Sequence, residues 1–218
     1  MKRLASLLLM ALLSFALFAD SLGYAGFGLG FGFGKTSYED SLEIKRTSLE
    51  VNIEGVFYLT EERSDVQLGI GVQAGLGIPL SYKLNDNGIE DAPMSGYLST
   101  SFEFAYRINR KAFLEARAGL GVNGTTLSQA SLVFDSAVLS ATRTQLTEFY
   151  IVAGAAWRGL LEDGISIKAG ADASFTFEDS VKQKVIGGDR TSVKKLGSLG
   201  FDSISFKPYV MLAIALDD

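Results

Sequence analysis

The chain has 218 residues, a length typical of one domain, and its 20 basic and 25 acidic residues give a formal net charge of -5. This acidic balance argues against nucleic acid as a partner. The absence of Cys and His excludes a disulfide framework, a Cys/His zinc site and the commonest general base. We expect no metal, no cofactor and no catalytic residue.

The N-terminus has the layout of a secretory signal peptide. Lys2 and Arg3 precede an apolar stretch over residues 4–18, and the small residue Ala19 follows. Those 15 residues fall short of the ~20 that an α-helix needs to span a bilayer. We predict a signal peptide over residues 1–19, with cleavage after Ala25 as the alternative, and one domain over residues 20–218.

After the signal peptide, apolar side chains recur at every second position, which is the period of a β-strand and not of a helix. Each run approaches the ~9 to 11 residues that a tilted strand needs to cross a bilayer. The eight predicted strands are residues 26–34, 49–59, 66–82, 98–108, 114–122, 149–157, 165–177 and 204–216.

The first predicted strand alternates bulky apolar residues with glycine, but Tyr24 precedes it in the opposite parity. A bulge near Ala25 and Gly26 would bring Tyr24 onto the apolar face. The third strand alternates without interruption from Val66 to Tyr82, which predicts that Tyr82 also lies on the apolar face.

The predicted connections alternate in length. Residues 60–65, 109–111 and 158–164 form short turns, whereas residues 35–43, 85–93, 125–143 and 179–200 form longer connections. In transmembrane barrels the short turns face the periplasm, the longer loops face outside, and an even strand number leaves both termini in the periplasm. The sequence therefore predicts an all-β fold, an eight-stranded antiparallel transmembrane up-and-down β-barrel.

The polar faces of the strands carry five acidic and four basic residues, interspersed with glycine. They are Glu50, Glu54, Glu103, Glu115, Asp172, Arg107, Arg117, Lys168 and Lys207. We expect these side chains to form a charged network that fills the interior, because an eight-stranded barrel is just wide enough to be filled. The alternative is a soluble lipocalin-like binding barrel, with its apolar face inside and its charges in water.

Aromatic residues occur near both ends of the predicted apolar faces, as in the aromatic belts of membrane proteins. Tyr24, Phe57, Tyr106 and Trp157 fall near the short-turn end, and Tyr82, Phe175 and Phe177 fall near the other end. The ordinary preference of aromatic residues for strands is the alternative explanation.

The last long connection is basic and contains the turn-forming residues Gly187, Gly188 and Asp189, which predict a hairpin. Its basic residues are Lys182, Lys184, Arg190, Lys194 and Lys195. This hairpin could contact an extracellular anionic ligand, such as glycolipid headgroups or an acidic polymer. A merely solvated loop explains the same residues equally well.

These features resemble the small eight-stranded bacterial outer-membrane barrels of the OmpA, OmpX and OmpW type over residues 20–218. The resemblance implies contact with outer-membrane lipid and insertion by the barrel-assembly machinery. Such proteins end in an aromatic residue, whereas this sequence ends in Leu216, Asp217 and Asp218. We expect a monomer in the outer membrane with a structural or adhesive role, no enzymatic activity, and a narrow solute channel as the alternative function.

Overall fold

The computed structural model describes residues 23–38, 42–60, 64–88, 92–128, 133–134, 137–138, 143–162, 164–187, 190–198, 200 and 202–216. The strands are β1 (Gly23–Tyr38), β2 (Leu42–Tyr58), β3 (Val66–Leu84), β4 (Asn87–Gly88), β5 (Ser95–Asn109), β6 (Ala112–Ser128), β7 (Val133–Phe134), β8 (Ala137–Val138), β9 (Arg143–Glu162), β10 (Ile165–Gly187), β11 (Arg190–Gly197) and β12 (Asp202–Ala215). Within these residues no helix is long and apolar enough to cross a membrane.

Eight long strands close into one antiparallel barrel. Their order is β1, β2, β3, β5, β6, β9, β10 and β12, and β12 pairs with β1 to complete the ring. The predicted eight-stranded antiparallel barrel is confirmed. The remaining strands are extensions at the end of the long connections: β4 pairs with β3, β11 pairs with β10, and β7 pairs with β8.

The barrel strands run further than the alternation predicts. β9 begins at Arg143 and β10 continues to Gly187, so both include residues assigned above to connections. The two strands stay paired from Ile165 with Glu162 to Lys184 with Arg143. These extensions carry polar residues on both faces and therefore lack the apolar alternation that identifies a strand from sequence.

The basic connection forms a hairpin, in which β10 and β11 pair from Val181 with Gly197 to Gly187 with Arg190. Lys182 is opposite Lys195, and a register shift occurs between Val181 and Lys182. The hairpin extends the β10 edge of the sheet beyond the closed part of the barrel.

The outward face of the barrel is apolar and the inward face is polar. Phe102 on β5 is 78% exposed, whereas Glu54 on β2 and Lys168 on β10 are 2% and 1% exposed. A soluble barrel has the opposite arrangement, because water would then contact the charged faces and the apolar side chains would fill the inside. The lipocalin-like alternative does not fit this structure.

Two of the seven predicted belt aromatics lie inside the barrel. Tyr24 is 1% exposed because β1 pairs with β2 without the expected bulge, so its parity places the side chain among the interior glycines. Tyr82 is 6% exposed because Leu80 is an extra residue in β3: Thr47 pairs with Ser81, and the next pair is Ser48 with Pro79. The bulge reverses the inward and outward faces beyond Leu80. The prediction that Tyr24 and Tyr82 face lipid was wrong.

Candidate functional site

A lysine inside the barrel contacts carboxylates from two different strands. Lys168 Nζ on β10 lies 2.5 Å from Glu54 Oε1 and 3.1 Å from Glu115 Oε2. It also donates a 2.7 Å hydrogen bond to the hydroxyl of Tyr24. That hydroxyl lies 2.9 Å from Glu54 and 3.0 Å from Glu115, so the four side chains form one cluster.

An arginine on β6 extends this cluster across the lumen. Arg117 Nη1 donates a 2.5 Å hydrogen bond to Glu54 Oε2, and Arg117 Nε donates a 2.8 Å hydrogen bond to Asp172 Oδ1. Nη2 contacts the second oxygen of Asp172, which makes this a bidentate pair, and also donates to Gln73 at 3.3 Å. Glu54 therefore bridges two cations from different strands.

Arg158 on β9 fills the short-turn end of the interior. Its Nε donates a 2.5 Å hydrogen bond to Glu115, and its guanidinium carbon lies 4.7 Å from the Tyr24 ring centroid and 4.4 Å from that of Phe113. Tyr58 also donates to Glu115 at 3.1 Å. Arg158 falls in a predicted turn, although its place next to the outward Trp157 is a signal that it points inward.

Two predicted interior residues lie toward the long-connection end. Glu50 accepts a 2.5 Å hydrogen bond from Ser48 and lies 3.8 Å from Lys207 Nζ, which sits 3.6 Å from the Tyr97 ring centroid. Beyond them is a small polar cavity that is partly open to solvent. Its lining residues are Arg46, Asn123, Glu148, Tyr150, Ser174, Thr176, Ser203, Ser205 and Lys207.

Glu148 anchors the wall of this cavity and was not predicted as an interior residue. It accepts a 2.6 Å hydrogen bond from Asn123 Nδ2, contacts the Ser203 hydroxyl, and lies 3.5 Å from Arg46 Nη1. The outward position of the next residue, Phe149, indicated that Glu148 faces inward.

The other two predicted interior charges are Glu103 and Arg107. Glu103 is buried and accepts a 2.6 Å hydrogen bond from Ser101, and no ion pair among the described residues includes it. The Arg107 guanidinium lies 5.4 Å from the ring centroid of Phe113. Ion pairs with opposite charges hold these predicted interior residues: Glu50, Glu54, Glu115, Arg117, Lys168, Asp172 and Lys207.

Interior glycines leave the space that these long side chains occupy. A Cβ at Gly154 would overlap the Asp172 carboxylate, and a Cβ at Gly71 would overlap that of Glu103. The charged side chains therefore occupy space in the barrel that a larger residue in place of glycine would take.

The other predicted aromatics face outward. Tyr106, Trp157, Phe175 and Phe177 are exposed on the outer surface, and Phe57 is half-buried. In the basic hairpin Lys182 is exposed, whereas the structure describes only the backbone of Lys184, Arg190, Lys194 and Lys195.

A second charged cluster, which we call the outer rim cluster, comprises Lys35, Glu43, Lys45, Lys83 and Asp86. It lies on the outer surface of β1, β2 and β3 above the apolar band. Lys35 Nζ is 2.6 Å from Glu43 Oε2, Lys45 Nζ is 2.7 Å from Glu43 Oε1, and Lys45 Nζ is 3.0 Å from Asp86. Because the cluster is exposed, its ion pairs are expected to weaken with added salt.

The outer rim cluster predicts an unusual titration of Glu43. Hydrogen bonds from Lys35 and Lys45 lower the pKa of Glu43 from 4.5 to about 2. Because the folded-state pKa is depressed, the contact is fully formed above pH 4.5 and is lost as the pH falls toward 2. A carboxyl ¹³C NMR titration should show this low pKa, and the double variant K35Q/K45Q should return it toward 4.5. A wild-type Glu43 that titrates at 4.5 would show that these contacts do not form in solution.

The chain is similar to known proteins in its fold and not in its sequence. No family model and no curated protein matches the chain. Among solved structures, Ail, the attachment invasion locus protein of Yersinia pestis, is 11% identical with a TM-score of 0.45, over 88% of this chain and 99% of its own. Neisserial surface protein A is 10% identical with a TM-score of 0.48, over 88% and 96%. The outer membrane protease OmpT from Escherichia coli is 9% identical with a TM-score of 0.44, over 90% and 97%.

Proposed function

We propose that the chain is an integral outer-membrane β-barrel protein with a filled polar interior, which stiffens the membrane and presents its long connections to the exterior. The observation that carries this proposal is the exposed apolar outer face that surrounds buried ion pairs such as Lys168 with Glu54. A closed barrel satisfies its backbone hydrogen bonds internally, and hydrocarbon accepts the apolar outer face.

The orientation and the surface role follow from the two ends of the barrel. Short turns join β2 to β3, β5 to β6 and β9 to β10, and the hairpin of β10 and β11 extends from the opposite end. In such barrels the short-turn end faces the periplasm. The basic hairpin would then face the exterior, where it would contact an anionic ligand in an adhesive role. The same proposal includes export by the signal peptide, insertion by the barrel-assembly machinery and a monomeric state.

A non-catalytic role agrees with the chemistry of the interior. The buried carboxylates Glu54, Glu115 and Asp172 are held by Lys168, Arg117 and Arg158 in ion pairs. Carboxylates that are fixed in this way have a structural role in the barrel, since breaking a buried pair leaves an uncompensated charge. Among the described residues no group of three or more acidic side chains is placed to hold a metal ion.

We expect no steady conductance when the folded protein is inserted in a planar lipid bilayer. A channel would need an open path past Lys168 and Arg117, whose ion pairs with Glu54 span the lumen. Insertion is verified by a heat-modifiable shift on a gel, and a porin in the same bilayer gives the positive control. Stable, reproducible current steps from the folded barrel would favour the narrow channel over the filled interior.

A further inference from the structure

Three lysines of the outer rim cluster occupy one continuous row across adjacent strands. Lys35 on β1 is the register partner of Lys45 on β2, and Lys45 is the register partner of Lys83 on β3. All three side chains are exposed on the outward face. Neighbouring strands lie ~4.8 Å apart, so the three Cα atoms fall within ~10 Å of one another.

The lysine row lies directly above the apolar band. On β1 the outward residue next to Lys35, toward the middle of the barrel, is Phe33. Phe31 and Leu29 follow on the same face, and all three side chains are exposed. On β3 the exposed Ile78 and Leu80 hold the corresponding place. If this band contacts acyl chains, the three ammonium groups lie at the level of the lipid headgroups.

Like charges at directly opposed positions of a sheet destabilise it, so a row of three lysines requires anions nearby. Glu43 lies between Lys35 and Lys45, and Asp86 contacts Lys45. Two carboxylates thus offset three cations, and no carboxylate of the described residues lies within ion-pair distance of Lys83. Counting only the residues that the structure describes, the row keeps one excess positive charge.

The backbone fixes this arrangement. Glu43 N donates a 2.7 Å hydrogen bond to the side chain of Asn85, and Asn85 N donates a 2.8 Å hydrogen bond to the Glu43 carbonyl. Asn85 and Asp86 both have a left-handed backbone, with φ of 48° and 64°. Asn and Asp tolerate this conformation better than other residues with a side chain. The turn therefore holds Asp86 against the Lys45 ammonium group.

We propose that Lys45 and Lys83, supported by Lys35, bind a phosphate group on the headgroup of an anionic glycolipid in the outer leaflet. The proposal rests on the proposed membrane location and adds a specific lipid contact to it. A lipid phosphate is favoured over a soluble polymer because the row is continuous with the apolar band below it. A phosphate between the two ammonium groups would supply the missing negative charge through charge-assisted hydrogen bonds.

The test measures lipid binding to the folded barrel in neutral detergent by native mass spectrometry. The probes are lipid A and its dephosphorylated form, which differ only in the phosphates. The double variant K45Q/K83Q should weaken lipid A binding by about 30-fold, since each lysine near a lipid surface contributes about fivefold. R110Q/K111Q, which removes the same charge from two exposed basic residues of the short turn between β5 and β6, should leave it within threefold.

The outcomes separate this inference from the proposed function. Equal binding of both lipids to the wild-type barrel, or unchanged binding by K45Q/K83Q, would overturn the phosphate site while leaving a folded membrane barrel. A wild-type protein that gives no heat-modifiable band in detergent and lipid would instead contradict the membrane barrel. Because the lysines are exposed, the glutamine variants should keep the wild-type heat-modifiable shift, which verifies their folding.

Discussion

Replacing Arg117 with methionine is expected to lower the free energy of unfolding by about 3 to 5 kcal/mol, the typical cost of removing one partner from a buried ion pair. Arg117 forms a bidentate pair with Asp172 and also binds Glu54. Its loss leaves Asp172 without this cation inside the barrel. Urea unfolding in phospholipid vesicles, followed by the fluorescence of the single tryptophan, measures the change.

A second substitution makes the Arg117 result specific to the ion pair. In the double variant R117M/D172N both the cation and its carboxylate are removed, and Glu54 retains Lys168. We expect the double variant to be more stable than the sum of the two single effects predicts, by at least ~1 kcal/mol. K182M is the control for loss of an exposed charge and should change stability by less than ~0.5 kcal/mol. An Arg117 variant as stable as K182M would contradict a buried network.

Arginine at Ile70 is expected to cost about 1 to 3 kcal/mol in a lipid bilayer, a penalty between that of a lipid-facing cation at the interface and that of one at the midplane. Ile70 is exposed on the outward face of β3, opposite Phe57 and Phe102 in register. The same change at Ser81, which is exposed on the outward face near the end of β3, should cost ~0 to 1 kcal/mol.

The comparison of I70R with S81R tests depth on one strand and one face, and I70S measures the separate cost of losing the isoleucine side chain. Reversible unfolding in vesicles of a single lipid gives the two free energies. Equal penalties at the two positions would mean that the outer face of β3 does not cross the hydrocarbon. Gln73 does not serve as an inward control, since it already accepts a hydrogen bond from Arg117 and a second cation there would be repelled.

The strands and most of their faces could be predicted because apolar residues alternate with polar residues or glycine where the two sides of a sheet lie in different environments. Leu29 and Phe31 on one face of β1, with glycine on the other, identify a lipid-facing strand from sequence alone. The ends of β9 and β10 could not be found in this way, because Thr144 and Gln183 pair there without apolar side chains to mark the register.

The prediction of inward and outward side chains was wrong where the alternation depends on whether a bulge is present. Tyr82 points inward because Leu80 is inserted in β3. Pro79 beside it was the signal in the sequence, because proline within a sheet is found at bulges. Tyrosine also fits both environments, since its ring suits a membrane interface and its hydroxyl suits a polar interior. Tyr24 fits the polar interior because its hydroxyl contacts Glu54, Glu115 and Lys168.

The partners of the interior charges could not be predicted from sequence. Lys168 and Glu54 lie on strands that do not pair with each other, so their contact depends on the tilt and stagger of the closed barrel. The inward orientation of Arg158 and Glu148, by contrast, could have been predicted from the sequence. Each is one residue beyond an outward aromatic, and extending the alternation by one position places both inside.

The most direct test of the lipid-facing outer surface uses Trp157, the single tryptophan of the chain, which is exposed on the outward face of β9. The protein is folded into vesicles whose phospholipids carry bromine on their acyl chains, and its fluorescence is compared with that in unbrominated vesicles. We expect strong quenching by the brominated chains and little quenching by acrylamide in the water. Strong quenching by acrylamide with no effect of bromine would show that the outer face lies in water and not in lipid.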